Sequence, residues 1–215
     1  MSEHFPSLHI IAHPLIADKL TQMRDKNRPS IGFRGLLREI TLLMTFEVLR
    51  DLPMSEIEIE TPVAKMKAPA LTGISPSIIP ILRAGLGMSE PLMELIPTAT
   101  IGHIGVYRDH VTKKPIEYLV KLPKNEGQLF VVVDPMLATG NSLVHACDVL
   151  NANGIPDEQI RVMALVIAPE GMACFAAKHP TIPVFGASLD EKLNENAYIV
   201  PGLGDAGDRI FGTVG

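Results

Sequence analysis

Five short apolar runs constrain this chain more than any other feature: Ile78–Leu82, Ile101–Val106, Leu129–Val133, Val162–Ala168 and Val184–Ala187. Stretches of helical character lie among them, at Leu86–Ile96, Ser142–Asn153 and Met172–Lys178. A strand that is apolar on both faces must be covered on both, and intervening helices supply the crossovers a parallel sheet needs. The pattern predicts an α/β fold with a parallel sheet and helices on each side. Such sheets bind ligands beyond the carboxyl ends of their strands, so the residues after each run are the candidates for chemistry.

The segment before Ile78 follows other rules. Ile31, Phe33, Leu36, Leu37, Ile40, Leu43, Met44, Val48 and Leu49 recur at three-to-four spacing. This predicts a long helix with one buried face, ended by Pro53. Glu56-Ile57-Glu58-Ile59-Glu60 alternates strictly, as an edge strand or hairpin arm with one wet face does. Residues 107–123 are more polar and enclose Ile116–Val120, which predicts a projecting hairpin or flap. With 215 residues and no repeats or linkers, a single domain is expected, comprising a helical arm (1–55), the flap and a C-terminal segment (198–215).

Charge narrows the partners. Nineteen Lys and Arg against 24 Asp and Glu give a net −5, which disfavours nucleic acid but leaves a small anionic ligand open. No apolar run reaches the ~20 residues of a membrane span, and the first residues lack a secretory pattern. Cys147 and Cys174 are too few for a disulfide framework and have no zinc spacing. A cytoplasmic protein without membrane or nucleic-acid partners is expected.

After Leu129–Val133 comes Asp134-Pro135-Met136-Leu137-Ala138-Thr139-Gly140-Asn141-Ser142, leading into a helix. A buried strand here delivers an acid, a turn of small and hydroxylated residues follows, and the helix then begins with free N–H groups and a positive dipole end. That arrangement suits a phosphate monoester, with Asp134 accepting from sugar hydroxyls. The plainer alternative is a capped turn with Asn141 or Ser142 as N-cap. It is not a Walker loop, since Asn141 occupies the lysine position. Arg83, with Gly85 and Gly87 after Ile78–Leu82, has the chemistry to clamp a diphosphate or simply to face solvent. Arg108 raises the same choice where the flap begins. Gly202-Leu203-Gly204-Asp205-Ala206-Gly207 is a literal GxGxxG, but too little chain follows it to build a dinucleotide-binding unit. Its exposed peptide groups suit the edge of a small planar base, and apolar Tyr198, Ile199, Ile210 and Phe211 are expected to anchor it.

These motifs, with Arg34–Glu39, Pro80–Met88, Ala168–Gly171 and Tyr198–Thr213, resemble the uracil phosphoribosyltransferase family of the type I phosphoribosyltransferase fold. The likeness covers nearly the whole length, and the Pro201–Arg209 segment is its most specific part. It implies a Rossmann-like core with an N-terminal helical region and a β-hairpin flap. It also implies transfer of a phosphoribosyl group from 5-phosphoribosyl 1-diphosphate to uracil, giving UMP and diphosphate. Carried over by position, Leu137–Ser142 would hold the 5-phosphate and Asp134 the ribose hydroxyls, with Pro135 and Met136 also at the phosphoribosyl diphosphate. Arg83 and Arg108 would bind diphosphate. Asp205 would lie near the reacting centre, and Ile199, Gly204 and Ala206 would read uracil with it. Asp205, Arg83 and Arg108 are thus the candidate catalytic residues. The resemblance implies Mg2+ arriving with the donor rather than on protein ligands, since Pro135 stands where many relatives of the fold carry a second acid. A GTP effector and a homodimer or homotetramer are further implications.

The chain departs from the family pattern at Gly140-Asn141, usually two glycines, and at Asn196-Ala197, which replaces a His-Gly pair. Two other readings remain at this stage: transfer to another base, such as a purine, and a UMP-sensing regulator that binds RNA.

Overall fold

The computed structural model of the chain describes residues 5–108 and 115–213; the side chains of 106–108 and 115–117 lie outside that description. The first elements are β1 (Leu8–Ile10), α1 (Pro14–Arg24), α2 (Ser30–Val48), β2 (Met54–Glu60) and β3 (Lys65–Leu71). The central part runs through β4 (Ser77–Leu82), α3 (Leu86–Leu95), β5 (Thr100–Ile101), β6 (His103–Arg108), β7 (Pro115–Lys121) and β8 (Phe130–Val133). There follow β9 (Met136–Leu137), α4 (Asn141–Ala152), β10 (Ile160–Ile167), α5 (Pro169–Ala176) and β11 (Val184–Leu189). β12 (Lys192–Leu193), β13 (Ile199–Val200) and α6 (Ala206–Phe211) come last.

The five apolar runs all enter one sheet of order β1-β11-β10-β8-β4-β6-β7, with β5 beside β4 and β9 beside β10. Among the described residues its pairings are parallel except β6 with β7. Alternate side chains divide between two cores, as a pleated strand requires. Ile79, Ile81, Val132 and Val162 pack beneath Leu143, Cys147 and Leu150 of α4 and Phe175 of α5. Ile78, Val131, Val133, Met163 and Leu165 face α1, α2 and α3 through residues such as Leu20, Phe33, Ile40, Met44 and Leu92. Continuous apolarity in the strands is thus explained by a cover on each side.

Several boundaries differ from expectation. α2 ends at Val48, ahead of Pro53, because the chain leaves through a turn in which Leu52 N–H donates to the Leu49 carbonyl. α5 starts at Pro169 rather than Met172, since proline is preset for a first helical turn. β1 is too short to stand out in the sequence; its residues pair with Val184–Gly186. β2 and β3 form a separate two-stranded hairpin. Both faces of β2 are exposed, Ile57 and Ile59 included, so the expected single wet face is corrected: among the described residues no other part of the chain covers the apolar side. β6 and β7 pair antiparallel up to Arg108 and Pro115, while residues 109–114 of the expected flap lie outside the described residues.

Candidate active site

The carboxyl ends of β4 and β8 open on a cavity of about 300 Å3, closed on another side by the C-terminal segment. Asp134 follows β8 directly, and its Oδ1 accepts the Met136 N–H at 3.3 Å. Burial pushes the Asp134 carboxyl up to about 7; the Met136 N–H pulls it back, and the charge of Asp205 adds to the rise. The chain then turns through Met136–Thr139 into α4.

Gly140, not Asn141 or Ser142, is the N-cap of α4. Its φ of +83° favours glycine, and a Cβ there would lie 2.6 Å from the Gly171 carbonyl oxygen. Gly140 brings no side chain to cap α4, and the helix start meets the cavity at Gly140 and Ser142, where backbone N–H groups can receive a ligand. Asn141 has no left-handed backbone to support, because that conformation falls on Gly140.

Arg83 leaves β4 after a cis peptide bond with Leu82. Gly85 makes the turn possible, since a Cβ there would strike the carbonyl of Val133 and the backbone of Ile81. The Arg83 side chain is 59% exposed, with Nη2 3.7 Å from Asp208 Oδ1 and its guanidinium 5.9 Å from the Phe211 ring. These loose contacts leave it able to turn toward an anion. Arg83 is the one cation among the described lining residues.

The C-terminal segment is held from several directions. Asp205 caps α6 by accepting the Asp208 N–H at 2.9 Å. α6 begins within the GxGxxG but spans only six residues, and β13 before it pairs antiparallel with β12, so no dinucleotide-binding unit forms. Ile199, Leu203, Ala206 and Ile210 are buried anchors. Tyr198 and Phe211, expected as anchors, are exposed; neither faces the core formed with α2.

Arg24, Arg34 and Arg209, which the sequence gives no individual role, complete the support. Arg24 makes a bidentate pair with Asp190, at 2.7 and 2.6 Å, and donates to the Gly202 carbonyl at 2.6 Å. Arg34 donates to the Ile210 carbonyl at 2.8 Å. Arg209 donates to Leu203 and Asp25 carbonyls and lies 4.4 Å over the Phe33 ring. Sequence alone carries little signal for these contacts, because most join residues far apart in the chain.

The cavity therefore gathers Arg83, Asp134, Met136, Leu137, Ala138, Thr139, Gly140, Ser142 and Asp205 from the expected set. Pro135, Asn141, Ile199, Gly204 and Ala206 stand outside its lining. The Pro135 carbonyl accepts the Leu165 and Val166 N–H groups, a structural role. Asn141 Oδ1 faces Cys174 Sγ at 3.8 Å. Gly204 is exposed at φ +77°, next to buried Leu203. The Arg108 side chain lies outside the described residues. Cys147 is packed under the sheet, where burial drives its thiol upward. Among the described residues no three His, Cys, Asp or Glu side chains group to hold a metal ion.

The family model described as uracil phosphoribosyltransferase matches residues 10–213. A uracil phosphoribosyltransferase of Rhodospirillum centenum is 64% identical over 209 residues, covering 97% of each chain. That of Ralstonia pickettii is 57% identical, covering 97% of this chain and 96% of its own. Among solved structures, the AQ2163 protein of Aquifex aeolicus superposes with a TM-score of 0.87 at 32% identity, over 95% of this chain and 97% of that one. The APRTase of Giardia lamblia shares the fold at a TM-score of 0.50 and 12% identity, over 82% and 86% of the two chains.

Proposed function

This chain belongs to the uracil phosphoribosyltransferase family, and from that premise we propose that the cavity between β4, β8 and the C-terminal segment is where it converts uracil and 5-phosphoribosyl 1-diphosphate to UMP and diphosphate. The observation that carries the assignment is convergence. A strand-end acid, a glycine-capped helix start, an arginine and the Asp205 carboxylate come from separated parts of the chain to one concave site.

Each part has a task in the displacement. The α4 N-terminus and the 136–142 turn hold the 5-phosphate through backbone N–H groups. Asp134, once ionised, accepts from the ribose hydroxyls and fixes the anomeric carbon. Arg83 binds the diphosphate, joined by Arg108 from the β6 end. In the reaction the bond from the anomeric carbon to diphosphate oxygen breaks, and the bond to uracil N1 forms. The N1 proton passes to solvent or to Asp205, and the diphosphate leaves with the bonding electrons. Positive charge grows on the ribose in the transition state, and Asp205 stands at the cavity to oppose it. Uracil is read by peptide groups around Ile199, Gly204 and Ala206, whose donors and acceptors mirror its acceptor–donor–acceptor edge. Cytosine leaves some of those groups unpaired.

Two carboxylates facing one arginine leave the site short of positive charge for a polyanionic donor. That imbalance fits Mg2+ arriving with the donor, which Asp134 and Asp205 would face. When bound, it supplies charge neutralisation for the leaving group.

Self-association as a homodimer or homotetramer is supported by the uncovered hairpin face at Ile57, Ile59 and Met66. An apolar groove of about 850 Å3, lined by residues including Leu43, Phe46, Leu71 and Leu95, supports it further. Among the described residues no helix is long and apolar enough to cross a membrane. A GTP effector rests on family resemblance alone, and a cytoplasmic setting on the two free cysteines.

The test is product formation from the donor, Mg2+ and a panel of bases, with and without GTP. UMP from uracil, with guanine, xanthine and cytosine left unconverted, is expected. A purine nucleotide as the main product contradicts the base assignment.

A further inference from the structure

Reading a base with backbone groups poses a mechanical problem. A peptide group has no side chain of its own to fix it, and Gly202 and Gly204, both at positive φ, lose more conformational freedom on folding than other residues do. Something else must hold the peptides still. Here it is a buried ion pair. Asp190, 6% exposed, follows β11 and receives both Arg24 guanidinium nitrogens from the end of α1. Both pair members also grip Gly202: its N–H donates to Asp190 Oδ2 at 2.9 Å, and its carbonyl accepts from Arg24 Nη1 at 2.6 Å. Ser188 Oγ donates to Asp190 Oδ1 at 2.7 Å, so the carboxylate is held on both oxygens. Burial by itself would raise the Asp190 carboxyl, but Arg24, Ser188 and the Gly202 N–H outweigh it and hold the group below the usual carboxylate range.

The geometry points to Arg24 and Asp190 as positioning residues for uracil: a clamp that fixes Gly202 and thereby the orientation of the Leu203–Ala206 peptides that read the base. The inference rests on the uracil reading of that segment. It assigns a reaction-specific task to a pair that touches neither donor nor base. Neither residue lines the donor cavity, so the clamp reaches the donor only through Asp205 and acts chiefly on base recognition.

Asp190→Asn is the discriminating variant. It keeps the volume and one acceptor oxygen for Arg24, but its NH2 group must face either Arg24 Nη1 and the Gly202 N–H or Arg24 Nη2 and Ser188 Oγ. Initial rates are measured over both substrates, with melting temperature and hydrogen exchange of 202–206. The clamp predicts a KM for uracil raised about tenfold, as a misplaced binding group produces. It also predicts a donor KM that moves much less than the uracil KM, and faster exchange confined to 202–206. A purely structural role lowers the melting temperature and the active fraction without moving the uracil KM. Arg24→Met is expected to behave likewise, and Arg24→Lys to recover part of the uracil KM. The clamp is overturned if folded Asp190→Asn and Arg24→Met both keep the wild-type uracil KM and exchange of 202–206. If the wild-type protein makes no UMP, the uracil reading falls and the clamp's role in base recognition falls with it. Altered exchange at 202–206 would then register only a structural contact.

Discussion

At Asp134 the cost of burying a charge opposes the need for a strong hydrogen-bond acceptor. In the folded protein its carboxyl is raised from 3.8 to about 7, mainly by burial. The folded state therefore keeps a proton that the unfolded chain has released. Its stabilising contribution is full below about 3.8, declines as pH rises, and is lost above about 7. Asp134→Asn removes that decline. Denaturant unfolding of the unliganded variant is expected to show stability gaining on wild type across this window; a constant difference at all pH values contradicts the burial assignment. Wild-type donor affinity should in turn tighten as pH rises through about 7, as Asp134 becomes an ionised acceptor. A second residue-level strain lies at Ala197, the one non-glycine with positive φ among the described residues, at +62°. It closes the β12–β13 turn, where Asn194 Oδ1 accepts the Asn196 and Tyr198 N–H groups. The left-handed region costs an L-residue roughly 1–2 kcal/mol, and glycine's unfolded-state freedom returns about 0.4–1 kcal/mol of that. Ala197→Gly is expected to stabilise the protein by about 0.5 kcal/mol, read from urea midpoints at constant m-value.

Among the elements, α4 depends on its neighbour α5 as much as on its own sequence. Gly140 caps α4 at φ +83°, and the space a Cβ would need is filled by the Gly171 carbonyl of α5. Gly140→Ala is expected to lose about 1–2 kcal/mol from backbone strain and to raise the donor KM, because the first turn of α4 is displaced. An unchanged donor KM in a folded variant would remove the helix start from phosphate binding. The Asp134–Ser142 turn was legible in sequence because acid, turn and helix start are contiguous, and each obeys a local rule. The Arg24–Asp190 pair was not: its members are 166 residues apart and meet only after α1 packs beside β11. The N-cap was missed for a related reason. Asn and Ser are the usual caps, but the Gly171 contact that demands glycine belongs to another helix. Nor can the C-terminal segment be tested by removing it, since Leu203, Ala206 and Ile210 are buried against α2 and its neighbours. Point variants in its supports keep the fold and ask the functional question.

For the molecule as a whole, a net charge of −5 has to coexist with a polyanionic donor. The proposed site meets this with the positive ends it has, the α4 N-terminus and Arg83, and would be completed by a cation brought with the diphosphate. The parallel sheet makes this possible by delivering the ends of β4 and β8 side by side while the C-terminal segment closes over them. Arg83 is loosely held and largely exposed, so its removal disturbs little of the fold and isolates the electrostatic part of the account. The most direct measurement is initial UMP formation by wild type and Arg83→Ala over a range of donor and uracil concentrations. Loss of a charge-assisted contact worth about 1.5–3 kcal/mol predicts a donor KM raised about 10–100-fold with little change for uracil. No UMP from the wild-type protein, or the same donor KM in both proteins, would contradict it.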